Sequence, residues 1–298
     1  MEDRFSSGKK VAILGIAVNI VLLLLKLTAG YSSGSQAMIA DGFNSMGDVF
    51  ASTVTLLGSI YAAKPKDADH AWGHGKAEYI ASMIIGFSMV VMAIYTITGS
   101  VDSLSSGAEL EFSWWLVGVA GTTIISKFIL YCYCIKKSKK FNSVLIKANA
   151  QDHRNDVFVT SGTLAAIFLS MAGLYFMDGL IGLAISAWII YSGVIIVLES
   201  ARVLMDAGVG EKTLEEYKKR VMEIDGIDHI DSLNTKPVGA KSILVVKISV
   251  DRDMTVIKSH EIGKKIEEEL LASYPELDDV IVHVNPDLPH EEGRHCQL

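Results

Sequence analysis

Six apolar stretches, each long enough to cross a bilayer, constrain this chain more than any other feature. A helix needs about 20 mostly apolar residues to span a hydrocarbon core of about 30 Å. The stretches cover residues 11–30, 37–63, 79–100, 114–135, 144–174 and 177–204. The third holds no charged residue, the first holds only Lys26 and the fourth only Lys127. The first run is long, and no small-residue cleavage site follows it cleanly, so it is expected to remain as a span. Half of the 298 residues are hydrophobic and only 20% are charged, in keeping with a polytopic α-helical membrane protein of six transmembrane helices.

Lysine and arginine orient the spans, because they concentrate in cytoplasmic loops. Arg4, Lys9 and Lys10 precede the first span; Lys64, Lys66 and Lys76 join the second to the third; Lys136, Lys137, Lys139 and Lys140 join the fourth to the fifth. The loops on the other side hold none, and the one at 101–113 is acidic through Asp102, Glu109 and Glu111. Both termini are therefore expected in the cytoplasm, with the chain an integral protein of the cell membrane.

After Asp206 the composition changes. Fifteen basic and fifteen acidic residues balance up to that point, whereas twelve and nineteen follow it, so the whole net charge of −7 lies in the last third. Such a surface does not suit nucleic acid, whose phosphates need a basic face. Leu214, Tyr217, Val221 and Ile224 recur at helical spacing. Strands are expected at 227–233, 242–250 and 280–284, and a second amphipathic helix at 256–274. This is a small α+β domain, αββαβ and ferredoxin-like or metallochaperone-like, expected to have an antiparallel sheet. The resulting organisation is a cytoplasmic N-terminus (1–10), a six-helix transmembrane domain (11–206), a cytoplasmic α+β domain (207–288) and a polar tail (289–298). Cys132, Cys134 and Cys296 form no disulfide framework.

The chemistry lies in the polar residues inside the spans. An ionisable group at mid-membrane costs about 2.5–3.5 kcal/mol on insertion scales, so a chain that keeps several has a use for them. The second stretch holds Asp41, Asn44 and Asp48; the fifth holds Asp152, His153, Arg154 and Asp156. Asn44 and Asp48 are four apart, as are Asp152 and Asp156, so each pair shares one helix face. Two such faces turned together form an oxygen-rich site for a metal ion or protons. His153 is one residue off its stripe and is expected beside the site rather than in it. Arg154 is the one cation of these two polar clusters and could pair with an acid. In the connection between the second and third stretches, Asp67, Asp69, His70 and His74 form a further cluster, where Gly73 and Gly75 argue against a regular helix.

The stretches 35–52 (SQAMIADGFNSMGDVFAS), 69–78 (DHAWGHGKAE) and 149–159 (NAQDHRNDVFV) resemble the cation diffusion facilitator family, exporters of divalent transition metals. The resemblance implies six spans followed by an αββαβ cytoplasmic domain, a homodimer, and metal–proton antiport by alternating access. It implies a transport site at Asn44, Asp48, Asp152 and Asp156, a loop site at Asp67, His70 and His74, and a charge pair between Lys76 and Asp206. In the cytoplasmic domain, the positions matching the family's zinc ligands are Asp231, Lys247, His260, His283 and Asn285, of which only His260 and His283 suit a metal. The tail adds His290, His295 and Cys296.

The transport set contains no histidine, unlike the zinc-selective members. Imidazole suits zinc, whereas carboxylate and carbonyl oxygens suit Mn²⁺. The set also looks like that of the manganese branch, so Mn²⁺ is expected ahead of Fe²⁺ and Zn²⁺. Clustered carboxylates cannot all stay ionised cheaply, and metal entry displaces protons, which is the basis of the coupling. No organic cofactor and no enzymatic activity are expected. The alternative of another class is a membrane-bound metal sensor or scaffold. An intramembrane hydrolase is disfavoured by the absence of an HExxH motif or a Ser/His dyad in the spans, and a channel by the absence of a filter-like loop.

Overall fold

The computed structural model describes residues 2–33, 36–106, 114–171 and 176–287. The chain divides into two compact units, Met1–Leu204 and Met205–Leu298.

The first unit is a bundle of six helices: α1 (Glu2–Ser33), α2 (Gln36–Ala62), α3 (Ala77–Ser106), α4 (Trp114–Phe141), α5 (Val144–Met171) and α6 (Phe176–Leu204). Among the described residues, four of them contain segments long and apolar enough to cross a membrane: Arg4–Thr28, Ala77–Asp102, Val117–Phe141 and Gly179–Leu204. Helices α2 and α5 have comparable lengths but carry the polar motifs, so composition alone does not mark them as spans. The helices pair most extensively as α3 with α6, α1 with α2, and α4 with α5. Glycines allow the first pairing. A Cβ built on Gly86 would lie 3.0 Å from the Gly193 carbonyl oxygen, and one on Gly193 would lie 2.9 Å from that of Gly86. Small residues permit this backbone approach where lipid supplies no hydrophobic drive.

At the lysine-rich end, three helix starts are tied together. The Glu78 carboxylate pairs with Arg4 Nη2 at 2.7 Å and accepts hydrogen bonds from the Ser143 hydroxyl and the Leu145 N–H. Ser143 in turn accepts from the Ile146 N–H at 3.1 Å, the usual role of a serine at a helix N-cap. A carboxylate at this point also meets the positive end of the α5 dipole.

The second unit runs α7 (Glu211–Met222), β1 (His229–Pro237), β2 (Ser242–Val250), α8 (Val256–Ser273) and β3 (Leu277–Pro286). The expected element order holds, but the sheet is mixed. Strand β2 is central, antiparallel to β1 and parallel to β3. The connections explain this. A tight turn at 238–241, with Gly239 at φ 95°, reverses the chain into β2. Helix α8 then carries the chain back along the sheet, so β3 must run parallel to β2. Strand β1 extends beyond the expected 227–233 because its polar side chains, Asn234 and Lys236 among them, suit an edge strand.

Alternate residues of β2 (Leu244, Val246 and Ile248) pack on Tyr217 and Val221 of α7 and on Ile262, Ile266 and Leu270 of α8. Leu244 is wholly buried. Its replacement by Ala is expected to cost about 2–5 kcal/mol, because the close-packed neighbours relax only partly into the void. Denaturant unfolding of the purified protein checks this; an unchanged midpoint would refute the assigned core.

Candidate metal centre

Helices α2 and α5 bring their acids to one level of the bundle. Asp48 lies about four turns before the end of α2, and Asp156 about three turns into α5. The two carboxylates meet on a third helix. Lys127 of α4 donates from Nζ to Asp48 Oδ2 at 2.7 Å and to Asp156 Oδ2 at 2.6 Å. Its side chain is 1% exposed. Asp152, one turn before Asp156, belongs to the same group: one ligand atom each from Asp152, His153 and Asp156 lie within 4.8 Å of one another.

Polar atoms beside this junction lack hydrogen-bond partners among the described residues: Asp152 Oδ2, both ring nitrogens of His153, and both amide atoms of Asn155. Buried polar atoms without partners are costly, and their concentration at one place marks a site that receives something from outside the fold. A cavity of about 770 Å³ reaches this place. Asp48, Asp152, Asn155 and Asp156 line one part of it, and α3 from Ser88 to Asp102 lines another. Because α3 starts at the lysine-rich end, the cavity extends from the level of the acids toward the opposite end. Among the described residues, none of α4 lines the cavity, so Lys127 approaches the carboxylates from a different side.

Hydrogen bonds between neighbouring helices hold the site in place. Asn19 donates to Ser52 Oγ at 3.2 Å, and Asn149 donates to Thr55 Oγ1 at 3.1 Å. Lys26 of α1, also buried, donates to Ser45 Oγ at 3.1 Å, one turn from Asp48. The side chains of Asn44 and Asp41 lie outside the described residues.

Two sequence expectations about charge need correction. Arg154 does not neutralise an acid of the site. Its Nη2 donates to Ser192 Oγ at 2.9 Å, and its guanidinium stands 5.3 Å from the Trp188 ring centroid. The cation at the acids is Lys127, which sequence reasoning treated only as an isolated charge in the fourth stretch. A lone lysine in an otherwise apolar span was the available signal, because a buried ammonium there needs a partner.

The loop residues also come together. Ligand atoms of Asp67, His70 and His74 lie within 4.8 Å of one another, and the segment is non-helical, with Gly73 at φ 81°. The His70 N–H donates to Asp67 Oδ1 at 2.7 Å and holds that carboxyl below the usual aspartate range. His74 Nδ1 lies 3.2 Å from the Pro65 carbonyl oxygen. A carbonyl only accepts, so Nδ1 is the donor to it, and Nε2 faces Asp67 Oδ2 at 3.4 Å.

In the second unit, His260 and His283 are both exposed, on α8 and β3. Among the described residues neither joins a three-residue cluster of metal-ligating side chains. His283 is in register with Lys247, a cation where a ligand would be needed. Asp231 accepts from Ser249 and from Asn285. Sequence reasoning missed the grouping of Asp228, His229 and Asp287. There His229 Nδ1 faces Asp228 Oδ2 at 2.7 Å and Nε2 faces Asp231 Oδ1 at 3.1 Å. Both nitrogens meet acceptors, which fits an imidazolium. The hydrogen bond to Asp228 holds the ring above the usual histidine range. Asp206 Oδ2 lies 3.3 Å from Lys236 in the same unit. His290, His295 and Cys296 lie outside the described residues.

Residues 12–205 match the family described as the cation efflux transmembrane domain, and residues 209–287 match the cation efflux protein cytoplasmic domain. The manganese efflux system protein MneP of Bacillus subtilis is 32% identical over 292 residues, spanning 95% of this chain and 98% of that protein. MneS of the same organism is 30% identical over 284 residues, spanning 95% and 97%. The cation-efflux pump FieF of Salmonella agona is 26% identical over 290 residues, spanning 97% and 96%. With both of its halves matched and its near-full length shared with such relatives, the chain belongs to the cation diffusion facilitator family and is an integral membrane transporter for cation efflux.

Proposed function

We propose that this protein exports divalent metal ions, Mn²⁺ ahead of Fe²⁺ and Zn²⁺, in exchange for protons by alternating access. The observation that carries the reading is the convergence of Asp48 and Asp156 on one point beside Asp152, at the end of a cavity that extends toward one end of the bundle. With Asn44 as the fourth ligand, this set of four offers oxygen donors only, which suits a hard dication, and the His153 ring lies within 4.8 Å of two of them. The names of MneP and MneS support manganese as cargo.

In this reading all six helices cross the membrane and both termini are cytoplasmic, so the lysine-rich end faces the cytoplasm. The Arg4–Glu78–Ser143 network then closes that end while the cavity extends toward the exterior, an arrangement suited to metal release. Protons arriving from outside replace the metal on the carboxylates. The domain at 209–287 dimerises two copies. The loop residues Asp67, His70 and His74 bind a second metal on the cytoplasmic side.

Vesicles reconstituted with the purified protein and given a proton gradient test this reading. Wild type is expected to move Mn²⁺ faster than Zn²⁺, and Asn44→His is expected to raise Zn²⁺ transport relative to Mn²⁺, because imidazole suits zinc. Undiminished uphill transport after collapse of the gradient would refute the coupling. An unchanged metal ranking in the variant would refute the ligand set.

A further inference from the structure

Lys127 has no place in a ligand set, yet it holds the centre of this one. It is a buried ammonium on α4, contacting one carboxylate from α2 and one from α5 at hydrogen-bond distances. Burying an ion costs several kcal/mol unless it is fully paired, so both contacts are needed to keep Lys127 there. A dication that takes Asp48 and Asp156 competes for the same oxygens.

We propose that Lys127 is a built-in counter-cation that the transported metal must displace from Asp48 and Asp156, and that its return to them drives the metal off. The proposal rests on reading Asp48, Asp152 and Asp156 as the transport site. Three acids against Lys127 and the more distant Lys26 leave negative charge that a dication entering the site meets in a low-dielectric interior. A dication attracts each carboxylate with twice the Coulomb energy of an ammonium at the same distance, so it can win the exchange. The lysine remains tethered to α4 throughout and competes at a high effective concentration. It lowers the affinity of the site and shortens the residence of the metal. A transporter needs both, since cargo held too tightly is never released. The step moves the ammonium off the two oxygens that the metal takes, while it stays on α4 beside the remaining carboxylate oxygens.

Full-length protein in lipid nanodiscs, titrated with Mn²⁺ and read by the electron paramagnetic resonance signal of the free ion, measures the affinity. Proteoliposome transport gives KM and maximal rate separately. Lys127→Met is expected to bind Mn²⁺ more tightly by about tenfold or more, with KM lowered and the maximal rate reduced. Lys127→Arg keeps the charge and can grip both carboxylates with its planar fork, so it is expected to bind Mn²⁺ more weakly than wild type. Asp156→Asn separates the two readings, because it is expected to lose binding. Wild-type affinity in Lys127→Met alongside lost binding in Asp156→Asn overturns the counter-cation and leaves the transport site standing. Wild-type affinity in Asp156→Asn overturns the transport site itself. Should Lys127→Met fail to insert, Lys127→Arg decides alone: weaker binding upholds the proposal, and equal or tighter binding ends it.

Discussion

Asp48→Ala and Asp156→Ala are expected to abolish metal efflux and to destabilise the protein, whereas Asp152→Asn abolishes efflux and leaves stability intact. The difference lies in what each side chain holds within the fold. Asp48 and Asp156 each accept a charged hydrogen bond from Lys127, 79 and 29 residues away in sequence. Removing either leaves a buried ammonium half paired, and breaking a buried ion pair costs about 3–5 kcal/mol. Asp152 Oδ2 has no hydrogen-bond partner among the described residues, so an amide in its place removes no bond at that oxygen. All three substitutions remove a carboxylate from the cavity end, and vesicle transport is expected to fall by about a hundredfold or more in each, in line with loss of about 3 kcal/mol of charged coordination. Mn²⁺ flux and thermal unfolding, measured on the same preparations, give the two readouts. Equal melting temperatures for Asp156→Ala and Asp152→Asn would refute the Lys127 junction.

Gly193→Val should prevent the bundle from assembling. A Cβ at this position lies 2.9 Å from the Gly86 carbonyl oxygen and 2.9 Å from Val90 Cγ2. Backbone cannot yield as a flexible side chain does, so α3 and α6 must separate. Overpacking costs about 1–3 kcal/mol where side chains alone give way, and more when helices must move. Gly121→Ala is the control, because a Cβ there meets nothing within 4 Å. It is expected to be neutral or to stabilise by up to about 1 kcal/mol through helix propensity. Membrane yield and monodispersity of the two variants check this, and equal yields would contradict the close approach of α3 and α6.

The acids of the site were legible in the sequence because spacing along one helix is local information. Asp152 and Asp156 share a stripe whatever the rest of the chain does. The loop group at Asp67, His70 and His74 was legible for a similar reason, though a turn around Gly73 gathers it where a helix does not. Gly86 and Gly193 are open to close approach by any neighbour, but which helices meet there could not be read from spacing. The five-element order of the second unit followed from periodicity. Its sheet direction did not, because strand direction depends on how α8 returns the chain across the sheet.

By itself the amino-acid order determined a chain of membrane-length helices with paired oxygen ligands in two of them and an acidic α+β unit behind. Hydrophobic length and i, i+4 spacing are properties of one segment, so no partner is needed to read them. Only the tertiary structure decided that Lys127, and not Arg154, supplies the positive charge at the acids, and that Arg154 turns to Ser192 and Trp188 instead. The physical reason is that a buried charge is settled by what lies within about 4 Å of it in three dimensions. That neighbour comes from whichever helix packs alongside, and packing is a property of the whole bundle.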